Sequence, residues 1–329
     1  MKNWRSVNED EVINCIDTDG SGRTAIGTFR PYSSCALYIV SASGETLHRL
    51  HHNFPVADVK FSAVDSRTVI TVSDYVRVWN VDSGQLTMVL SPLKDDSPDL
   101  CPFTAIAVSP DSNTFAVVDI RGLCSVYDGQ KKDPVEIFEM STEKLEGISF
   151  VNDNVIGCVG ESGSVYVLDR TSHHVVCTQG IEAQPRCQPV KLAWLPNLSL
   201  VAVAYQISGS VSVYELTSPI GTPRLLGSTK PGESIADICW LSQQYPEYLV
   251  VARDSGNVEV WNKSNLTSPH FDFRSATGVS AVKGTSQGVL VGSVDGEVFL
   301  SELPERLKAS EIAPFNHFSQ PTSSYPALA

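Results

Sequence analysis

The chain has 329 residues, 42% of them hydrophobic and 19% charged, with a formal net charge of −13. That length suits two average domains or one large all-β unit, and it can bury a core without disulfides or metals. The acidic balance argues against a general nucleic-acid or anionic-membrane binder, which needs a basic face, and favours basic protein partners.

The first segment, MKNWRSVNEDEVINC (1–15), lacks the continuous apolar stretch of a secretory signal. No apolar run approaches the roughly 18 residues of a membrane helix. A cytoplasmic or nuclear protein is expected, with the sequons at Asn197, Asn262 and Asn265 unglycosylated. The eight cysteines (Cys15, Cys35, Cys101, Cys124, Cys158, Cys177, Cys187 and Cys239) show no C-x-x-C spacing, and several lie in apolar runs such as VIGCVG. Reduced, buried thiols are expected rather than disulfides or zinc ligands.

Asp17-Thr18-Asp19-Gly20-Ser21-Gly22 opens like an EF-hand loop, but position 12 is Thr28 instead of a bidentate Glu, and the flanks read as strands. A polar hairpin turn is expected there. ALYIV (36–40) then begins a series of related segments: SDYVRVWN (73–80), RGLCSVY (121–127), SGSVYVL (162–168), SGSVSVY (208–214), DSGNVEVWN (254–262) and DGEVFLS (295–301). Aligned on Val40, Trp79, Tyr127, Leu168, Tyr214, Trp261 and Ser301, they recur after 39, 48, 41, 46, 47 and 40 residues. That is the period of a WD-type propeller blade. In the last five, a glycine falls five residues before the end-point (Gly122, Gly163, Gly209, Gly256 and Gly296), where a tight hairpin calls for positive φ.

The stretches between are short and rich in valine and isoleucine. Each has a run such as VADVKFS or VKLAWLP, followed by a second such as TVITVS or SLVAVAY. These read as strands, and no helical period is sustained anywhere. The prediction is an all-β, seven-bladed WD-repeat β-propeller over residues 1–304, followed by a proline- and serine-containing tail at 305–329. The last repeat lacks a fourth strand. NWRSVN, near the N-terminus, is expected to supply it and close the ring, which protects otherwise open edges.

Three segments carry a more specific likeness: TAIGTFRPYSSCALYIV (24–40), LHHNFPVADVKF with VITVSDYVRVWNV (50–61 and 69–81), and ESIADICWLSQQYPEYLVVARDSGNVEVWN (233–262). Their order and wording resemble the Transparent Testa Glabra family of WD-repeat regulators. That family includes plant proteins that join MYB and bHLH transcription factors, and an animal adaptor that docks dual-specificity tyrosine-regulated kinases. His52, Phe54 and Pro55 match the family's His-Pro-Tyr-Pro turn, with phenylalanine for tyrosine. Asp74 to Trp79 match its Asp-Tyr-Leu-Arg-Val-Trp strand. The resemblance implies a non-enzymatic scaffold, monomeric within complexes, that docks a protein kinase or transcription factors. One departure stands out. Trp79-Asn80 and Trp261-Asn262 lack the aspartate and the arginine of the W-D-x-R signature of cullin-adaptor receptors, which weakens a ubiquitin-ligase reading.

His52, Phe54, Pro55, Asp74 and Tyr75 fall on loops that a propeller gathers on one face, and they form the candidate protein-binding set. Two readings stay open: an aromatic hot spot beside a carboxylate for a short, partly basic segment, or a loop packed onto the rim. His52, Ser73 or Asp74, and Trp79 are also the only set suited to the hydrogen-bonded chain of a strong WD repeat. Trp79 and Trp261 are expected to pack within their blades. The adjacent pairs His51-His52 and His173-His174 diverge on a strand and do not suggest zinc. No catalytic signature occurs, so no catalytic residue, metal or cofactor is assigned. The alternative is a structural subunit of a trafficking, RNA-processing or ubiquitin-ligase complex. An enzyme, the weakest reading, would need a buried constellation of titratable groups in the central channel.

Overall fold

A computed structural model describes residues 2–5, 11–30, 35–90, 103–110, 113–178, 189–195, 199–206, 208–215, 223–241 and 245–304. The tail expected at 305–329 lies outside these, as do Cys101, Cys187 and Asn197. Among the described residues there are 28 strands and no helix.

The strands follow the repeat. β1 (Lys2–Arg5) precedes blade 1, which holds β2 (Val12–Thr18), β3 (Thr24–Phe29), β4 (Cys35–Val40) and β5 (Thr46–His52). Blade 2 holds β6 (Asp58–Phe61), β7 (Thr68–Val72), β8 (Val76–Asn80) and β9 (Leu86–Leu90). Blade 3 holds β10 (Phe103–Val108), β11 (Thr114–Asp119), β12 (Leu123–Asp128) and β13 (Glu136–Glu139). Blade 4 holds β14 (Leu145–Asn152), β15 (Val155–Gly160), β16 (Val165–Asp169) and β17 (His174–Thr178). Blade 5 holds β18 (Pro189–Leu195), β19 (Leu200–Tyr205), β20 (Ser210–Glu215) and β21 (Arg224–Ser228). Blade 6 holds β22 (Ile235–Trp240), β23 (Tyr248–Arg253), β24 (Asn257–Asn262) and β25 (Phe271–Arg274). Blade 7 holds β26 (Val279–Gly284), β27 (Gly288–Ser293) and β28 (Glu297–Glu302).

Each blade is a four-stranded antiparallel sheet, so the chain is a seven-bladed β-propeller. The fourth strand of blade 7 is β1, paired with β28 in the register Lys2↔Leu300, Asn3↔Phe299, Trp4↔Val298 and Arg5↔Glu297. The ring therefore closes by pairing the two ends of the repeat region, as the missing strand predicted. The five repeat glycines all sit at positive φ, between 61° and 95°. At Gly256 a Cβ would also crowd the Thr277 carbonyl, so glycine is required there on two counts.

The core is divided. Buried apolar side chains form seven clusters, and each spans the boundary between two adjacent blades. One of them joins Ile13, Ile16 and Tyr38 of blade 1 to Leu290, Val298 and Leu300 of blade 7. This explains the uninterrupted apolar strands. A second strand has a neighbouring blade on both faces, so β15, β19 and β27 are buried at every residue. Full burial of one such aliphatic side chain is worth about 1.5–3 kcal/mol.

Blade spacing is tight where β15 meets β18: the Gly157 Cα faces the Trp194 ring, and an added methyl would overlap that ring. Gly157→Ala is expected to destabilise by about 1–3 kcal/mol through overpacking. Gly20→Ala, in a turn with open space around it, is expected to leave urea-denaturation stability unchanged. Equal effects of the two changes would refute the packing account.

Candidate functional site

Two regions gather polar side chains, one on the rim of blade 2 and one in the central channel. On the rim, the loop from β5 to β6 (53–57) and the turn from β7 to β8 (73–75) lie at the same end of the blade. Ala57 N–H donates to Val72 O at 2.8 Å, and Asp58 pairs with Val72. The five candidate residues therefore come to one face, but they divide into two kinds. Phe54 and Pro55 are exposed, and Tyr75 is half-buried. His52 and Asp74 are buried, at 1% and 6% exposure. The carboxylate expected beside the aromatic patch is therefore not open at the surface.

The buried pair belongs to a network that braces the turn. Ser73 Oγ donates to Asp74 Oδ1 at 2.6 Å, and the Arg77 guanidinium donates to Asp74 Oδ1 at 2.8 Å and to Ser73 Oγ at 2.7 Å. His52 sits at the edge of this network, with Nδ1 3.5 Å from Ser73 Oγ and Nε2 3.5 Å from Thr71 Oγ1. Its ring lies over Trp79, with centroids 5.5 Å apart. Trp79 Nε1 donates to Thr71 Oγ1 at 3.1 Å, so Thr71 is the hydroxyl that links the histidine side to the tryptophan. The sequence reading missed Thr71 because it sought the hydroxyl in the turn and not two residues back along β7. Outside the network, Arg77 also lies 5.5 Å from the Tyr75 ring centroid, which steadies that aromatic at the surface.

The same place in blade 6 is built with the charges exchanged. Arg253, at the end of β23, donates to Glu259 Oε2 of β24 at 2.8 Å, and Trp261 Nε1 donates to that oxygen at 3.0 Å. Asn262 has a local task. Its side-chain oxygen accepts the Ser264 N–H at 2.8 Å, as Asn80 does for Ser83, Asp169 for Thr171 and Asp128 for Gln130. An amide oxygen serves this turn as well as a carboxylate does. Arg170, which follows Leu168-Asp169, is tied to Glu136 at 2.7 Å. Asp19 likewise caps a hairpin turn, accepting from the Ser21 and Arg23 N–H groups and pairing with Arg23 at 2.7 Å.

The channel is lined by the innermost strand of each blade. In six blades the pairing register shifts near the start of that strand, and in five of them the residue after the shift (Cys15, Ala105, Gly147, Lys191 or Asp237) borders the channel. Register equivalence sorts the charged side chains of the inner strands into two rings. The upper ring carries Asp58, Lys191 and Asp237, and the lower carries Asp17, Lys60 and Lys283. The carboxylates reach into the next blade. Asp17 accepts the Phe61 N–H at 2.8 Å, Asp58 the Ile106 N–H at 3.2 Å, and Asp237 the Val282 N–H at 2.9 Å. Lys60 closes on Asp58 at 2.7 Å and Lys283 on Asp17 at 2.5 Å. The sequence did carry a signal for this cluster: one or two charges set into otherwise apolar runs, as in ADVKF, VKLAW and IADIC. Among the described residues no three His, Cys, Asp or Glu side chains are grouped to hold a metal ion.

Burial, and then the Arg77 guanidinium, push the His52 pKa from 6.5 down to about 3, so this imidazole is neutral. Burial opposes ionisation of Asp74, but its bonds from Arg77 and Ser73 outweigh that and hold it below the usual carboxylate range. Between 6.5 and about 3 the unfolded chain takes up the His52 proton and the folded chain refuses it, so stability falls as pH falls through that window. Asp74 acts in the same direction at lower pH. His52→Gln is expected to reduce the acid-induced loss between about pH 6.5 and 4.5 by on the order of 2 kcal/mol in urea denaturation. Parallel stability curves for the two proteins would remove His52 as the cause.

No family model and no curated protein matches this chain; the fold and the two polar regions stand on the geometry alone.

Proposed function

We propose that the protein is a non-enzymatic scaffold that binds other proteins through the blade 2 rim. The observation that carries this is that exposed Phe54 and Pro55, on the loop from β5 to β6, lie at the same end of the blade as half-buried Tyr75, whose turn is braced by the Ser73–Asp74–Arg77 network. Exposed aromatics on a rigid support lose little conformational entropy on binding, and such residues dominate interface energetics. Propellers host many functions, so the fold supports a scaffold only as a class.

The likeness of residues 50–61 and 69–81 to Transparent Testa Glabra proteins supports a finer reading. In it the partner is a dual-specificity tyrosine-regulated kinase or a set of transcription regulators, met in the cytoplasm or nucleus. The channel supports the non-catalytic reading too. Its aspartates are engaged by backbone N–H groups, and burial pushes up the thiols that line it, that of Cys239 to about 12, so neither Cys15 nor Cys239 offers a thiolate at neutral pH. A second reading, a fixed subunit of a larger assembly, is favoured by exposed apolar side chains on outer strands: Leu86 and Val89 on β9 and Ile137 on β13.

Phe54→Ala combined with Tyr75→Ala is expected to keep the thermal midpoint and to weaken capture of a purified dual-specificity tyrosine-regulated kinase about tenfold or more. Unchanged capture would reject the patch. A wild-type protein that captures no kinase would reject the kinase reading.

A further inference from the structure

The charged rings of the channel contain three lysines and three aspartates, and two of the three possible pairs are closed. Lys60 meets Asp58 and Lys283 meets Asp17. Lys191 has no hydrogen-bond or ion-pair partner among the described residues. Asp237 is in the adjacent blade of the same ring and is held back from it. Asp237 Oδ1 accepts the Ile238 N–H and Oδ2 the Val282 N–H, both at 2.9 Å, so the carboxylate is fixed against its own strand and the next blade. The two groups still sense one another. Burial disfavours the Lys191 ammonium, but Asp237 and then Asp58 outweigh it and hold its pKa above the ordinary lysine value.

The rest of the wall leaves room. Blades 3 and 4 present Ala105 and Gly147 to the upper ring, and the channel forms a cavity of about 680 Å3 whose charged border is Lys191, Asp237, Asp58, Lys60, Lys283 and Glu146, the last paired with Lys144 at 2.8 Å. That volume is in the range of ordinary small-molecule sites. A protonated lysine facing a cavity, beside a carboxylate with lone pairs left over, asks for a ligand that is an anion and a donor at once.

We propose that the channel binds a small oxyanion carrying a hydroxyl, its charged oxygens on Lys191 Nζ and its O–H donated to Asp237. Hydrogenphosphate groups and 2-hydroxycarboxylates share this chemistry. A plain carboxylate lacks the donor and leaves Asp237 facing a like charge. The site is independent of the rim, since it is built from inner strands and none of Phe54, Pro55 and Tyr75 borders the cavity.

Thermal unfolding of the full chain tests it, with orthophosphate, malate or succinate at millimolar concentration against sodium chloride of matched ionic strength. Orthophosphate or malate is expected to raise Tm by about 2 °C, and succinate to do less. Whichever of the first two acts identifies the class. Lys191→Met is expected to lose the response. A wild-type Tm that neither ion moves, or an equal rise in Lys191→Met, overturns the proposal. Should that variant fail to fold, wild-type crystals grown with the same ions decide: an oxyanion on Lys191 Nζ supports the site, and water alone in the channel overturns it.

Discussion

The inner edge of every blade is the constraint on which the rest depends. The innermost strand of a four-stranded sheet has no strand on its channel side, so one row of its backbone groups lacks sheet partners. Here side chains from the preceding blade supply some of them. Asp17, Asp58 and Asp237 accept N–H groups of the next inner strand, and Asn14 and Thr104 donate to the carbonyls of Val56 and Leu145. These bonds run from blades 1, 2, 3 and 6 to their successors, while Trp240 Nε1 of blade 6 donates back to the Ala193 carbonyl of blade 5 at 3.0 Å. They set the angle between blades while the seven apolar clusters supply the bulk of the attraction.

Placing carboxylates in the channel for this purpose creates a charge problem that the lysines answer. Lys60 and Lys283 answer it by direct contact. Lys191 answers it at a distance, because Asp237 is already oriented by two N–H groups. A cluster that resembles a catalytic centre in composition is thus accounted for first as ring stitching. What that account leaves over is one ammonium and the space in front of it.

The blades solve their outer-turn problem with different chemistry on one frame. Blade 2 uses Asp74 in the turn and Arg77 on the third strand; blade 6 uses Arg253 at the end of the second strand and Glu259 on the third. Both bury a charge pair beside a tryptophan, and a buried pair is costly to break singly. The two turns differ in length, with three residues between paired Val72 and Val76 and five between Ala252 and Val258. In blade 2 the network braces the turn that carries Tyr75. The tryptophan that looks like the hallmark of the repeat, Trp79 or Trp261, is a packing and hydrogen-bonding residue behind it.

The sequence by itself determined the fold. A repeat near 40 residues, valine-rich runs and a glycine at one offset admit only stacked four-stranded units, and the missing last strand pointed to the N-terminal segment. These are local and periodic signals, and local backbone preference is what a sequence records most directly. It also marked Phe54, Pro55 and Tyr75 as loop residues. The tertiary structure decided which candidates remain open to a partner. It buried His52 and Asp74, brought Thr71 between His52 and Trp79, and assembled Asp17, Asp58, Lys60, Lys191, Asp237 and Lys283 from five inner strands into one channel. Those residues are separated by up to 266 positions along the chain. Only closure of the ring makes them neighbours, and no local periodicity encodes which charges will then face each other.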